Sequence, residues 1–206
     1  MEIYLLRHGE CFESSAEYYC EKRKLMNPPL TQKGIEQAYK LAHKLRSVEF
    51  GSIYASDLDR AIQTAEILMA ANKSDISDII VTAQFREIDM GELNLKSWNV
   101  FPELYAKWSL HESDLPYPNG ECGSDVWNRC KCKIDEVLEL GYERIAIVCH
   151  GGTIRSIICG ILGIPQQKRF QLGAPLYNCS ISVVRYQKDC SALLTFNDYC
   201  HLDEKT

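Results

Sequence analysis

Four short stretches hold the residues able to do chemistry together: Arg7-His8-Gly9, Ser56 to Arg60, Arg86-Glu87 and His150-Gly151-Gly152. They supply guanidinium groups, two imidazoles and a carboxylate. A guanidinium is a planar, permanently charged fork that matches phosphate oxygens. Two such forks, Arg7 and Arg60, would grip a phosphoryl group and spread its charge. A neutral His8 could attack phosphorus through one ring nitrogen, and nearby positive charge disfavours its protonated form. The other ring nitrogen then needs an acceptor, such as a backbone carbonyl, to fix the tautomer. His150 would donate to an equatorial oxygen from the opposite side. The N–H groups of Gly151 and Gly152, leading into a helix, would add partial positive charge. Glu87 would protonate the leaving alcohol and then deprotonate the water that attacks phospho-His8. Because arginines supply the charge stabilisation, this scheme requires no metal and no cofactor.

Alternating strands and helices must bring these stretches together. Apolar runs predict strands at Ile3–Leu6, Ser52–Ala55, Ile79–Thr82 and Ile145–Cys149. Helical periodicity begins after Thr31, a capping residue, and marks Asp57–Ala71, Trp98–Trp108, Ser124–Leu140 and Thr153–Leu162, the last ending at Gly163 and Pro165. Ser180–Tyr186 and Ala192–Asn197 read as closing strands at an antiparallel edge. The expected architecture is an α/β sandwich of three layers with a mostly parallel central sheet, formed as a single domain over 1–206. In such a sheet ligands bind beyond the carboxyl ends of the strands, where all four stretches fall.

Composition narrows the class. The chain has 206 residues, 46% of them hydrophobic and 25% charged, which suits a folded soluble domain and excludes bulk disorder. No apolar run reaches the ~20 residues of a bilayer span, so no membrane partner is expected. A net charge of −5 argues against a nucleic-acid partner. Met1 to His8 does not read as a secretory signal, so the ten cysteines are expected to be reduced thiols and the location cytoplasmic. Cys130 and Cys132 have no second pair to complete a zinc site.

The motifs resemble those of the histidine phosphatase superfamily, with its phosphoglycerate-mutase-like fold. Leu5-Leu6-Arg7-His8-Gly9-Glu10 resembles the opening motif, and Leu30-Thr31 with Gly34 and Gln37-Ala38 the first helix start. Ser56 to Ala61 with Gln63-Thr64-Ala65 resembles the second arginine motif, and Arg86-Glu87 with Gly91 the acid loop. Gly120-Glu121 with Asp125 and Arg129 resembles a further helix entry, and Val148 to Arg155 the second histidine motif. The resemblance implies phosphoryl transfer through phospho-His8, with Glu87 as proton donor and Arg7, Arg60 and His150 on the phosphate. It also implies a small phosphorylated metabolite as partner, and leaves monomer or dimer open. Ser14 stands where the family often has a phosphate-touching Asn, and Cys11 where Thr or Ser is common. The stretch containing Tyr18, Tyr19, Arg23 and Lys24 is expected to cover the pocket and choose the substrate. The short region after the acid loop favours the small-phosphatase branch, which includes alpha-ribazole phosphatases, over a mutase.

Two other readings stay open at this level. Cys149 to Arg155 has the Cys-x5-Arg spacing of cysteine phosphatases, with Cys149 as nucleophile and Arg155 as clamp. The chain could also be a phosphate-binding module without turnover, for which Glu87 would have no purpose.

Overall fold

In the computed structural model the described residues are 1–21, 25–173, 175–187 and 190–203. Arg23 and Lys24, expected over the pocket, lie outside them. Six strands form the main sheet: β1 (Glu2–Arg7), β4 (Ser52–Ser56), β5 (Ile79–Thr82), β6 (Arg144–Cys149), β7 (Ile181–Arg185) and β8 (Ala192–Asp198). Their order is β5-β4-β6-β1-β7-β8. The first four pair in parallel, and β7 and β8 add an antiparallel edge. A minor ribbon of β2 (Tyr19–Cys20) and β3 (Leu25–Met26), not foreseen in the sequence, lies after the first strand.

Alternation along the strands explains the layers. Ile3, Leu5, Ile145, Ile147 and Cys149 pack on one face with α4 (Gly123–Leu138) and α5 (Gly151–Leu162). Leu6, Ile53, Ala55, Ala146 and Val148 pack on the other with α1 (Gln32–Leu45) and α2 (Asp59–Ala71). Successive strand side chains point to opposite faces, so a strand covered on both sides must be apolar throughout. Each fully buried Ile or Leu contributes about 1.5–3 kcal/mol by leaving water. Ile147→Ala, which leaves a void in one core, costs about 2–5 kcal/mol.

Helix bounds differ from expectation for local reasons. Trp98–Trp108 is not one helix: a 3-10 turn at Trp98–Val100 is followed by α3 (Pro102–Trp108). Pro102 disfavours helical backbone at Phe101, whose φ and ψ are −129° and 55°, and itself suits the first helical position. The second helix starts at Asp59 rather than Asp57, which leaves Asp57 and Leu58 in the turn after β4. The fifth starts at Gly151, two residues earlier than expected, so His150 occupies its cap. The Thr31 hydroxyl accepts from Gly34 N–H at 3.1 Å, as a capping residue should. Gly34 also lets the loop after β1 close onto α1, because a Cβ there would sit 1.9 Å from the Glu10 carbonyl oxygen.

Candidate active site

The sheet delivers the side chains in order. Arg7 ends β1 and His8 comes next; the His8 N–H donates to the Cys149 carbonyl of the neighbouring strand at 3.1 Å. The His8 carbonyl accepts from Cys179 N–H at 3.2 Å and from the Asn178 side chain at 3.1 Å, so the residue is held from both sides. Nδ1 of His8 lies 2.7 Å from the Gly9 carbonyl oxygen. A carbonyl only accepts, so Nδ1 carries the proton and Nε2 keeps its lone pair. Arg60, on the first turn of α2, approaches Nε2 with its Nε at 3.3 Å. Burial first, and the Arg60 guanidinium second, hold the His8 pKa well below the ordinary imidazole value.

His150 is fully buried behind His8, with ring centroids 5.0 Å apart. Its Nε2 lies 2.8 Å from Ser56 Oγ, and that hydroxyl accepts from Leu58 N–H. Ser56 Oγ can donate its own proton to Nε2, an arrangement that leaves the proton of His150 for Nδ1. Nδ1 is buried and has no hydrogen-bond partner among the described residues, and the same holds for Nε of Arg7. Burial also holds the His150 pKa well below the usual imidazole value, with Arg60 adding to it. Arg7 is anchored through Nη1 to the Leu176 carbonyl. A Cβ at Gly151 would come to 3.8 Å from Arg7 Nε, which places that residue beside the Arg7 guanidinium.

Glu87 reaches the cluster from the loop after β5. Its carboxylate accepts from Gly152 and Thr153 N–H, both at 3.1 Å, from Ile88 N–H at 2.9 Å and from the Thr153 hydroxyl at 3.3 Å. The N–H of Gly152, expected to face phosphate, is thus given to Glu87. A Cβ at Gly152 would fall 2.6 Å from Glu87 Oε1, so this helix start is open only because the residue is glycine. Arg86 does not pair with Glu87; it forms a two-pronged ion pair with Asp57 at 2.6 and 2.5 Å.

Sequence reasoning missed the supports. Ser56 orients His150, Thr64 accepts from Gly9 N–H at 3.1 Å, and Thr153 ties Glu87 to α5. Arg129 braces the acid loop by donating to the carbonyls of Gln84, Arg86 and Glu87 while paired with Glu121. Ser56 stands at a strand end, and Thr64, Glu121, Arg129 and Thr153 stand within the quoted motifs, but the sequence assigns none of them a supporting role. Their contacts with His150, Gly9 and the acid loop act across more than forty residues of chain.

Arg7, His8, Arg60 and Glu87 line one end of a cavity of about 640 Å³, which Ser14 also lines from its exposed position. Cys149 is fully buried, and burial raises its pKa well above an ordinary thiol. Arg155 donates to the carbonyls of Arg169 and Gly173. The Cys-x5-Arg spacing therefore forms no phosphate cradle here. Cys130 is buried and Cys132 exposed, and all ten cysteines are unbridged. Among the described residues no helix is long and apolar enough to cross a membrane.

Known proteins share this frame. The chain is 32% identical over 194 residues to the probable phosphoglycerate mutase GpmB of Proteus mirabilis, covering 91% of this chain and 86% of that protein. Its fold is similar to alpha-ribazole phosphatase from Shigella flexneri, with a TM-score of 0.77, 23% identity and 96% of each chain covered. It is also similar to a mycobacterial glucosyl-3-phosphoglycerate phosphatase, with a TM-score of 0.78, 23% identity, and 96% of this chain and 99% of that one covered. The model of the histidine phosphatase superfamily (branch 1) matches residues 3–199, and the chain belongs to that family.

Proposed function

We propose that this chain is a phosphomonoesterase that hydrolyses a small phosphorylated metabolite through a phosphohistidine at His8, with the whole chain acting as one catalytic domain. The observation that carries the reading is the pairing of the His8 Nε2 lone pair with two buried nitrogens that have no partner among the described residues, Arg7 Nε and His150 Nδ1, read as donors. Buried donors without partners cost free energy unless a ligand satisfies them. A phosphoryl group does so, and offers its phosphorus to His8.

In the reaction His8 Nε2 forms a bond to phosphorus as the bond to the ester oxygen breaks. Glu87 passes a proton to the departing alcohol. Arg7, Arg60 and His150 donate to the equatorial oxygens, where charge is spread in the transition state. Water then attacks the phosphohistidine, gives a proton to Glu87, and inorganic phosphate leaves with His8 neutral again. Gly151 N–H and Ser14 Oγ are further candidate phosphate contacts. The ten unbridged thiols suit a reducing compartment, and we place the enzyme in the cytoplasm.

The name of the GpmB relative favours a second reading, phosphoryl exchange between phosphoglycerates. The two separate in one assay. Purified enzyme is given phosphoglycerate and a generic aryl phosphate, and both released phosphate and isomer exchange are followed. Release should exceed exchange and vanish in His8→Ala. Faster exchange than release would replace the hydrolase with a mutase.

A further inference from the structure

Beyond the phosphate end the wall of the cavity changes character. Leu25, Met26, Ile88, Met90, Leu93 and Phe170 line it, and Met90 and Phe170 remain 39% and 38% exposed. Outside the phosphate end, the described lining residues that carry charge are Asp89 and Arg169. Arg169 is already engaged. Its Nη1 donates to Asp114 Oδ1 at 2.7 Å and to the Gln166 carbonyl at 2.9 Å, and its guanidinium lies 4.6 Å from the centre of the Phe170 ring. The pair is buried, with 4% and 12% of the two side chains exposed. A second anion on the substrate would meet Asp89, and the charge of Arg169 is already balanced by Asp114. Such an anion would leave water without an uncompensated cation to receive it, which is costly. An apolar group entering the same space loses only its contact with water, which is favourable.

Resting on the phosphatase reading, we infer that the substrates of this site are phosphomonoesters of uncharged, predominantly apolar alcohols, and that the site discriminates against esters bearing a second anionic group. Phosphate binding and chemistry occur at the arginine end. Selectivity comes from Leu93, Met90 and Phe170, which shed water onto the alcohol.

The test uses ethyl, butyl and hexyl phosphate, whose leaving alcohols are almost equally basic, so that rate differences report burial rather than chemistry. With 3-phosphoglycerate as the doubly anionic probe, kcat/KM is measured on the full chain by phosphate release. The expected result is a rise of about fourfold per added methylene and a lower value for 3-phosphoglycerate than for hexyl phosphate. Leu93→Ser should lower the hexyl-to-ethyl ratio. Asp114→Asn should release Arg169 and raise the 3-phosphoglycerate-to-hexyl ratio by about tenfold. A flat alkyl series, or preference for 3-phosphoglycerate in the unmodified enzyme, overturns the inference while leaving the phosphatase intact. Absence of release from every ester, p-nitrophenyl phosphate included, overturns both. The alkyl series needs no variant, so a misfolded Asp114→Asn protein does not rescue the idea.

Discussion

The two ends of the cavity are built from different material. At the phosphate end the working side chains other than Glu87 sit where a strand stops or a helix begins: Arg7 closes β1, His8 is the next residue, Arg60 is on the first turn of α2, and His150 joins β6 to α5. At the alcohol end the wall comes from the β2–β3 ribbon, the 3-10 turn at Gly91–Asn94 and the turn holding Arg169 and Phe170. The phosphate end is tied by backbone hydrogen bonds within a continuous sheet, whereas the alcohol end adds to its loop backbone bonds side-chain contacts such as Asp114 with Arg169 and the tilted rings of Trp98, Trp108 and Tyr117. Chemistry demands that the reacting groups keep their geometry, and a sheet edge provides that. Recognition of an alcohol tolerates variation, and loops provide that.

The sharpest way to break this division is to remove the nucleophile. His8→Ala should reduce phosphate release by at least about 10⁴-fold for ethyl and hexyl phosphate alike. A loss that depended on chain length would mean that His8 also reads the alcohol. Glu87→Gln comes next. Release from alkyl phosphates should fall by about 10²–10⁴-fold, while p-nitrophenyl phosphate, whose leaving group needs no proton, should lose far less. Equal losses on both esters would remove Glu87 from the role of acid.

Gly152→Ala probes the seam between the two ends. The added Cβ would press on Glu87 Oε1 at 2.6 Å and on Ile88 Cγ2 at 3.2 Å. Alanine is also the better helix former by about 1 kcal/mol, so the thermal midpoint should stay within a few degrees. Turnover of alkyl phosphates should nevertheless drop by about 10–100-fold, as the carboxylate is displaced. A variant with native turnover would show that the position of Glu87 is not critical.

The same contrast explains how far the sequence could be read. The phosphate end was legible because its groups are local in sequence to strong elements: an apolar run such as Ile145–Cys149 announces a buried strand, and the residues directly after that strand must lie at the sheet edge. The Thr31 cap and the Gly163 stop were legible for the same reason, since each acts within one turn of helix. Donors to the Glu87 carboxylate come from 65 and 66 residues away, and Arg169 finds Asp114 across 55. No local pattern announces such a pair. Helical spacing over Trp98–Trp108 was misleading because aromatic packing and Pro102, rather than periodicity, decide that segment.

Proton linkage offers a subtler check on the phosphate end. His8 and His150 are both buried and neutral, with pKa values held down by burial and Arg60. In the unfolded chain each titrates near the usual value of about 6.5. Below that pH the unfolded chain binds more protons, so the stability present above pH ~6.5 is lost as the pH falls, by up to about 1.4 kcal/mol per pH unit for each histidine. Denaturant unfolding between pH 7.5 and 5.5 should show this slope, and His150→Asn should reduce it by about one proton. An unchanged slope in that variant would mean His150 is charged or exposed in the folded protein.

The smallest expected effect concerns the sulfur behind the site. Cys149 contributes its carbonyl to His8 N–H, and its side chain packs among Ile147, Ile154 and Ile157. Burial first, and Cys130 second, raise its pKa well above an ordinary thiol, so no thiolate is present to attack phosphorus. Cys149→Ser keeps the backbone contact and changes only the buried group. A hydroxyl placed there costs about 1–3 kcal/mol unless it finds a partner, so the thermal midpoint should fall while turnover stays within about threefold. The trapped phosphoenzyme should remain labile in acid, as a phosphorus–nitrogen bond is. If turnover instead collapsed at an unchanged midpoint, the nucleophile would be sulfur, and the reactive end of the cavity would have to be redrawn around α5 rather than β1.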